Sequence, residues 1–199
     1  DIQHSQKLKP GTMYKNSLGS TGMEVTRIGL GAWPIGGIMY GDIDDDRGIE
    51  VVRRYLKRGG NFIDTARAYR KSERLVGLAM QQSGIAREDL VIATKTKAND
   101  PEGIRQDLKT SLQELATEYV DLLYLHVPPE DPKAIDVAAD TLEALKAEGK
   151  IKASGASIKG PNVTPETQEL CRRYIDTGKI NTLQVIFSLF RQVNRDIFK

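Results

Sequence analysis

The sequence predicts an α/β chain: a parallel (β/α) barrel with six of its eight units present, preceded by a small β-hairpin. Three observations carry this reading. Strand and helix patterns alternate from residue 27 to the end of the chain. The strands are short, nearly continuous apolar runs, as in a sheet covered by helices. A polar or aromatic residue closes one run after another at an interval of 31 residues: Trp33, Asp64, Lys95, His126 and Ser157, with Ser188 one step further. Strands of such a barrel all point the same way, so their C-terminal ends meet at one mouth. A (β/α)8 barrel of the TIM type therefore fits better than an open doubly wound sheet, where site residues gather at the switch point.

The elements follow in order. MYKNSLGSTGMEVTRI reads as a hairpin about a Ser-Thr-Gly turn. The first barrel strand covers 27–33, followed by a loop with Gly36, Gly37 and Gly41. A helix spans 46–58 and stops at Gly59. Asp44, Asp45 and Asp46 stand at its start, where carboxylates cap free N–H groups and meet the positive dipole end. That role is preferred to a metal site. The second strand is 61–66 and its helix 72–82; the third strand is 90–95. The next helix opens with Asp100 as cap and Pro101 in first position, and Ile104, Leu108, Leu112 and Leu115 keep helical spacing. The fourth strand, 119–126, ends at Pro128-Pro129; its helix covers 135–147 and stops at Gly149. The fifth strand is 151–157, and Thr164-Pro165 caps a helix that stops at Gly178. The sixth strand is 180–188. Residues 1–12, which include His4, read as a disordered tail or an added remnant ahead of Met13; the barrel domain is 13–199.

Composition narrows the function classes. The 29 basic and 27 acidic residues nearly cancel, so neither nucleic acid nor a membrane surface is expected as partner. No apolar run reaches the roughly 18 residues of a membrane span, and the start of the chain has no signal-peptide core. The single cysteine, Cys171, reads as a small buried hydrophobe and suits a reducing, cytoplasmic location.

Familiar nucleotide fingerprints fail. Gly29-Leu30-Gly31 begins like a dinucleotide turn, but Pro34 stands where the third glycine belongs, and no Lys-Ser/Thr follows Gly36. Without HExxH or paired-cysteine spacing, no metal is expected. The strand ends are more informative. Asp64, Lys95 and His126 close three successive strands, and Tyr69 lies five residues past Asp64. A phenol ionises near pKa ~10. A neighbouring ammonium favours the phenolate and is expected to lower that value. Asp64 would hold the lysine, Tyr69 would give a proton to a carbonyl oxygen, and His126 would orient that oxygen. Taken singly, Asp64–Lys95 also reads as a structural ion pair, Tyr69 as a rim aromatic and His126 as a core histidine. Four such groups at one end of adjacent strands favour a site.

At these residues the chain resembles the aldo-keto reductase family. MYKNSLGSTGMEVTRIGLGAW is similar to the family's hairpin and first strand, and NFIDTARAYRKSERLVGLAM to its most diagnostic segment. LVIATK, DLLYLH and TLQVIFS match its lysine, histidine and sixth strands. The resemblance implies an eight-stranded barrel that binds NADPH and transfers hydride reversibly between nicotinamide and a small-molecule aldehyde or ketone. It implies a catalytic set of Asp64, Tyr69, Lys95 and His126, with Tyr69 as the acid/base. It places Ser157 and Gln184 at the nicotinamide carboxamide, Asp64 and the backbone of Gly31, Ala32 and Trp33 near its ribose, and Trp33 with the 36–42 loop beside the substrate. Ile158 stands where the family often has Asn, and Phe187-Ser188 replaces a Tyr-Asn pair. Two other readings remain at this point. Lys95 could form a Schiff base in a lyase, or the barrel could hold the dinucleotide as a regulatory subunit with little turnover.

The C-terminal part of the barrel is the expected missing partner. Six strands leave two unpaired sheet edges, so this chain alone is expected neither to bind NADPH tightly nor to turn over. Tight quenching of Trp33 fluorescence by NADPH in the 199-residue chain would contradict that expectation.

Overall fold

The computed structural model describes residues 13–38, 41–158, 165–190, 192 and 195. The tail 1–12 with His4, and the capping position Thr164, lie outside the described residues. The hairpin is present as β1 (Lys15–Ser17) against β2 (Glu24–Thr26), antiparallel. Six parallel strands follow: β3 (Leu30–Gly31), β4 (Phe62–Asp64), β5 (Val91–Thr96), β6 (Val120–Leu125), β7 (Ile151–Ile158) and β8 (Thr182–Val185). Their order in the sheet is their order in the chain. Such a sheet has no point where strand order reverses, which a doubly wound fold requires. It is a partial (β/α)8 barrel, open between β3 and β8.

Between the strands run α1 (Asp45–Lys57), α2 (Ser72–Ser83), α3 (Pro101–Leu115), α4 (Pro132–Ala147) and α5 (Pro165–Asp176). Local chemistry sets their starts. The Asp44 carboxylate accepts from the N–H groups of Asp46 and Arg47, at 3.0 and 3.3 Å, and Asp100 accepts from that of Gly103 at 2.9 Å. Helix α4 begins three residues before the expected Ile135. Asp131 accepts from the N–H of Ala134 at 3.0 Å and Pro132 occupies the first turn, the same Asp-Pro start as α3. Four strands are shorter than expected: β4 holds three residues of the expected 61–66, β6 loses one at each end of 119–126, and β3 and β8 shrink as well. β3 holds only two residues, because Gly29 and Gly31 offer no side chains to pack and Trp33 already leads into the 3-10 turn Pro34–Gly36. β8 ends at Val185, short of Ser188. Among the described residues, no helix is long and apolar enough to cross a membrane.

Alternation along each strand divides the core into two layers. Side chains facing out, such as Ile63, Ile92, Leu123 and Ala156, pack with the helices in one large cluster that also buries Cys171. Side chains facing in, Val91, Ala93, Leu122, Tyr124 and Ala153, form a second cluster with Met23 and Val25 of the hairpin. The hairpin thus closes the end of the barrel away from the mouth. Gly155 makes room in that interior, since a β-carbon there would lie 2.3 Å from the ring of Tyr124.

Asn61 ties the hairpin to the sheet. Its Oδ1 accepts from the N–H of Thr26 and its Nδ2 donates to the carbonyl of Glu24, both at 2.8 Å. Asn61 and Thr26 are buried, so losing the amide strands the N–H of Thr26 away from water. Asn61→Ala is expected to destabilise the protein by about 2 kcal/mol, read as a lower urea midpoint with an unchanged slope.

Candidate active site

The ladders show how the strand ends converge. Asp64 pairs with Ala93 across β4–β5, whereas Lys95 pairs with Tyr124 across β5–β6. Lys95 therefore stands two residues further up its strand than the level of Asp64. His126 repeats the step, standing two residues beyond Tyr124. Leu125 pairs with Ala156 and Ser157 with Gln184, so the last strands keep the level of His126. A barrel needs such stagger to close, and steps of two keep every one of these side chains on the inner face.

At the centre is the Lys95 ammonium, 1 % exposed. Nζ donates to Asp64 Oδ1 at 2.5 Å, to the carbonyl of Thr65 at 2.9 Å and to the Tyr69 hydroxyl at 3.4 Å. The other Asp64 oxygen accepts from Gln184 Nε2 at 3.0 Å, and Gln184 Oε1 accepts from the Ser157 hydroxyl at 3.0 Å. Gln184 thus reaches from β8 back to β4 across the interior. The Tyr69 ring meets buried His126 edge-on, with centroids 5.5 Å apart, and lies 6.4 Å from the Trp33 ring. Seven predicted positions therefore share the mouth or its rim: Asp64, Tyr69, Lys95, His126, Ser157, Gln184 and Trp33. Gly31 pairs with Asp64 at the edge of the sheet and is exposed. Ala32 does not join them. Its side chain is buried in the outer cluster, its N–H donates to the carbonyl of Asp64 at 2.8 Å and its carbonyl accepts from Ser72 Oγ at 2.8 Å.

The electrostatics correct one expectation. Tyr69 is pushed up to about 12, not down: burial comes first, and the negative charge of Asp64 adds to it. The hydroxyl keeps its proton at neutral pH.

The loop that presents Tyr69 has its own supports, which the sequence reading missed. Glu73 on α2 is fully buried; it is paired with Arg67 of the loop and accepts from Thr94 Oγ1 of β5 at 2.6 Å. The N–H of Arg67 donates to the carbonyl of Lys95 at 3.0 Å. Thr65 and Ser72 share a hydroxyl–hydroxyl bond of 2.9 Å. Gly36 lies under the loop so closely that a β-carbon there would stand 2.2 Å from the Tyr69 carbonyl oxygen. The signal for Glu73 was available, since Glu73, Val76 and Met80 share the buried face of α2. A carboxylate there requires a partner. Among the described residues, no group of three or more His, Cys, Asp or Glu side chains is placed to hold a metal ion.

Comparison with known proteins agrees with this geometry. The sequence profile of the aldo/keto reductase family matches residues 27–199. The chain is 35 % identical over 193 residues to the aldo-keto reductase YhdN of Bacillus subtilis, covering 90 % of this chain and 55 % of that protein. It is 33 % identical over 204 residues to an NADH-specific methylglyoxal reductase of Escherichia coli, covering 89 % and 60 %. Among solved structures, the thermostable aldo-keto reductase Tm1743 superposes with a TM-score of 0.79 at 29 % identity, over 92 % of this chain and 66 % of that one. The holo form of an aldo-keto reductase from Bacillus halodurans gives 0.76 at 28 %, over 94 % and 61 %. The chain spans roughly half to three fifths of the length of these curated relatives.

Removing one partner of a buried ion pair leaves the other uncompensated, a cost of roughly 3 kcal/mol. Glu73→Ala is expected to destabilise by about that amount, and Glu73→Gln by less because it can still accept from Thr94. Thermal melts of the two variants read the difference; equal melts would show that the charge of Glu73 contributes nothing.

Proposed function

The chain belongs to the aldo/keto reductase family, and from that premise we propose that the protein reduces small aldehydes or ketones to alcohols with NADPH, Tyr69 acting as the general acid. The observation that carries the proposal is the chain of contacts from Asp64 through the buried Lys95 ammonium to the Tyr69 hydroxyl, with the His126 ring against Tyr69.

The mouth fits a nicotinamide. Gln184 uses one amide proton on Asp64 and one lone pair on Ser157. Its second proton and second lone pair match the acceptor and donor of a carboxamide. Ser157 and Gln184 would hold that group, while Asp64, Gly31 and Trp33 would border the ribose. Ala32 would serve only as packing behind them. Bound reduced nicotinamide supplies a hydride to the carbonyl carbon. As negative charge develops on the carbonyl oxygen, Tyr69 delivers its proton there and His126 orients the same oxygen. Lys95 stabilises the phenolate left behind, and Asp64 holds Lys95 charged. A phenol raised to about 12 arrives protonated at neutral pH, which suits reduction; the reverse reaction needs the phenolate.

The same contacts weigh against a lyase. A Schiff base requires a neutral, reachable amine, whereas Lys95 is buried against a carboxylate. The choice of NADPH over NADH rests on the family resemblance alone. One relative is an NADH-specific reductase, so both nucleotides belong in the assay.

In the complete protein, Tyr69→Phe is expected to lower kcat for aldehyde reduction by about 10²–10⁴-fold while nucleotide affinity, read by fluorescence titration, stays within a factor of about two. In the unaltered protein, reduction should be flat from about pH 6 to 9, because Tyr69 loses its proton only near 12. Unchanged turnover in the variant would sink the assignment of Tyr69.

A further inference from the structure

We infer that Arg70 gives the mouth a preference for carbonyl substrates that carry an anionic group, such as a carboxylate. The inference rests on the reductase reading and adds a substrate class to it. Four cations lie on or beside the loop that carries Tyr69. Three are committed to carboxylates: Arg67 to Glu73, Lys71 to Asp42 and Asp45 at 3.2 and 2.8 Å, and Arg74 to Asp45 at 2.5 Å. Arg70, next to the proposed acid, is exposed and makes no ion pair or hydrogen bond among the described residues.

The backbone makes this more than a loose surface charge. Arg70 has φ 48°, and only one other non-glycine residue among those described, Ala116, has positive φ. A β-carbon is strained there and glycine is not. The strain sits at a charged residue adjoining the site, the placement in which strain points to function. Lys97, two residues beyond Lys95 in the chain and exposed, is a second cation without an ion pair among the described residues. The acid on the neighbouring loop, Asp42, is already engaged by Lys71. Arg70 is therefore the cation next to Tyr69 in the chain that no carboxylate holds, and a guanidinium can grip a carboxylate with two parallel hydrogen bonds.

The test uses two aldehydes of nearly the same shape in the complete protein: 4-carboxybenzaldehyde, which is anionic, and its neutral methyl ester. With Arg70→Gln, kcat/KM for the acid is expected to fall about fivefold, the scale of an exposed ion pair, while the ester changes less than about twofold. Arg70→Lys should retain most of the preference. In the unaltered protein, the advantage of the acid should shrink in ~0.5 M NaCl. Arg70→Gly should lose the preference as Arg70→Gln does, while raising the Tm by a few degrees as the strain is relieved. An equal fall for acid and ester, or a rise confined to the KM for NADPH, overturns the role of Arg70. No turnover of either aldehyde by the unaltered protein with either nucleotide sinks the reductase reading itself, and this inference with it.

Discussion

A buried ammonium must be matched by a carboxylate, and the site is organised around that requirement. Lys95 is 1 % exposed; isolated in the barrel it would cost several kcal/mol of lost hydration. Asp64 answers it at 2.5 Å, and the carbonyl of Thr65 adds a second acceptor. These contacts fix the end of β4 against β5. Because Asp64 also accepts from Gln184, the same carboxylate links β4 to β8. The curvature of the sheet and the placement of the proposed acid therefore depend on one ion pair.

A second buried carboxylate plays a matching part behind the first. Asp64 precedes the loop that carries Tyr69, and Glu73 follows it. Glu73 holds Arg67 from beneath and is itself held by Thr94. The segment between the two carboxylates is thus fastened at both ends, on neighbouring strands and on α2. That arrangement keeps a hydroxyl poised at 3.4 Å from Lys95 even though the intervening residues form no regular structure. The raised pKa of Tyr69 follows from the same packing: the ring is sheltered, and the nearest full negative charge disfavours a second one.

Much of this could be read from the residues alone, for identifiable reasons. Period-two alternation puts Asp64, Lys95, His126 and Ser157 on the inner face, and parallel strands bring them to one end. Both rules are local, and both hold. The helix caps at Asp44 and Asp100 are equally local. What could not be read depends on tertiary surroundings. The direction of the Tyr69 shift reverses because burial and the charge of Asp64 both push it up. Gln184 was placed at the mouth, but its bond to Asp64 spans 120 residues and exists only once the sheet has curled. The first strand shrinks because Gly29 and Gly31 leave nothing to pack.

The close approach of Gly36 to Tyr69 bears on how such a pocket can diversify. By the proposed reading, the loop after the first barrel strand would border the substrate, so it is a natural place for sequence drift to alter what the pocket admits. Its two ends are not free to drift. At one, any side chain on Gly36 would collide with the backbone of Tyr69; at the other, Lys71 grips Asp42 and the carbonyl of Ile43. Mutational routes to new substrates are thereby channelled into the middle of the loop. Changes at either end would disturb the proposed proton donor before they reshaped the pocket.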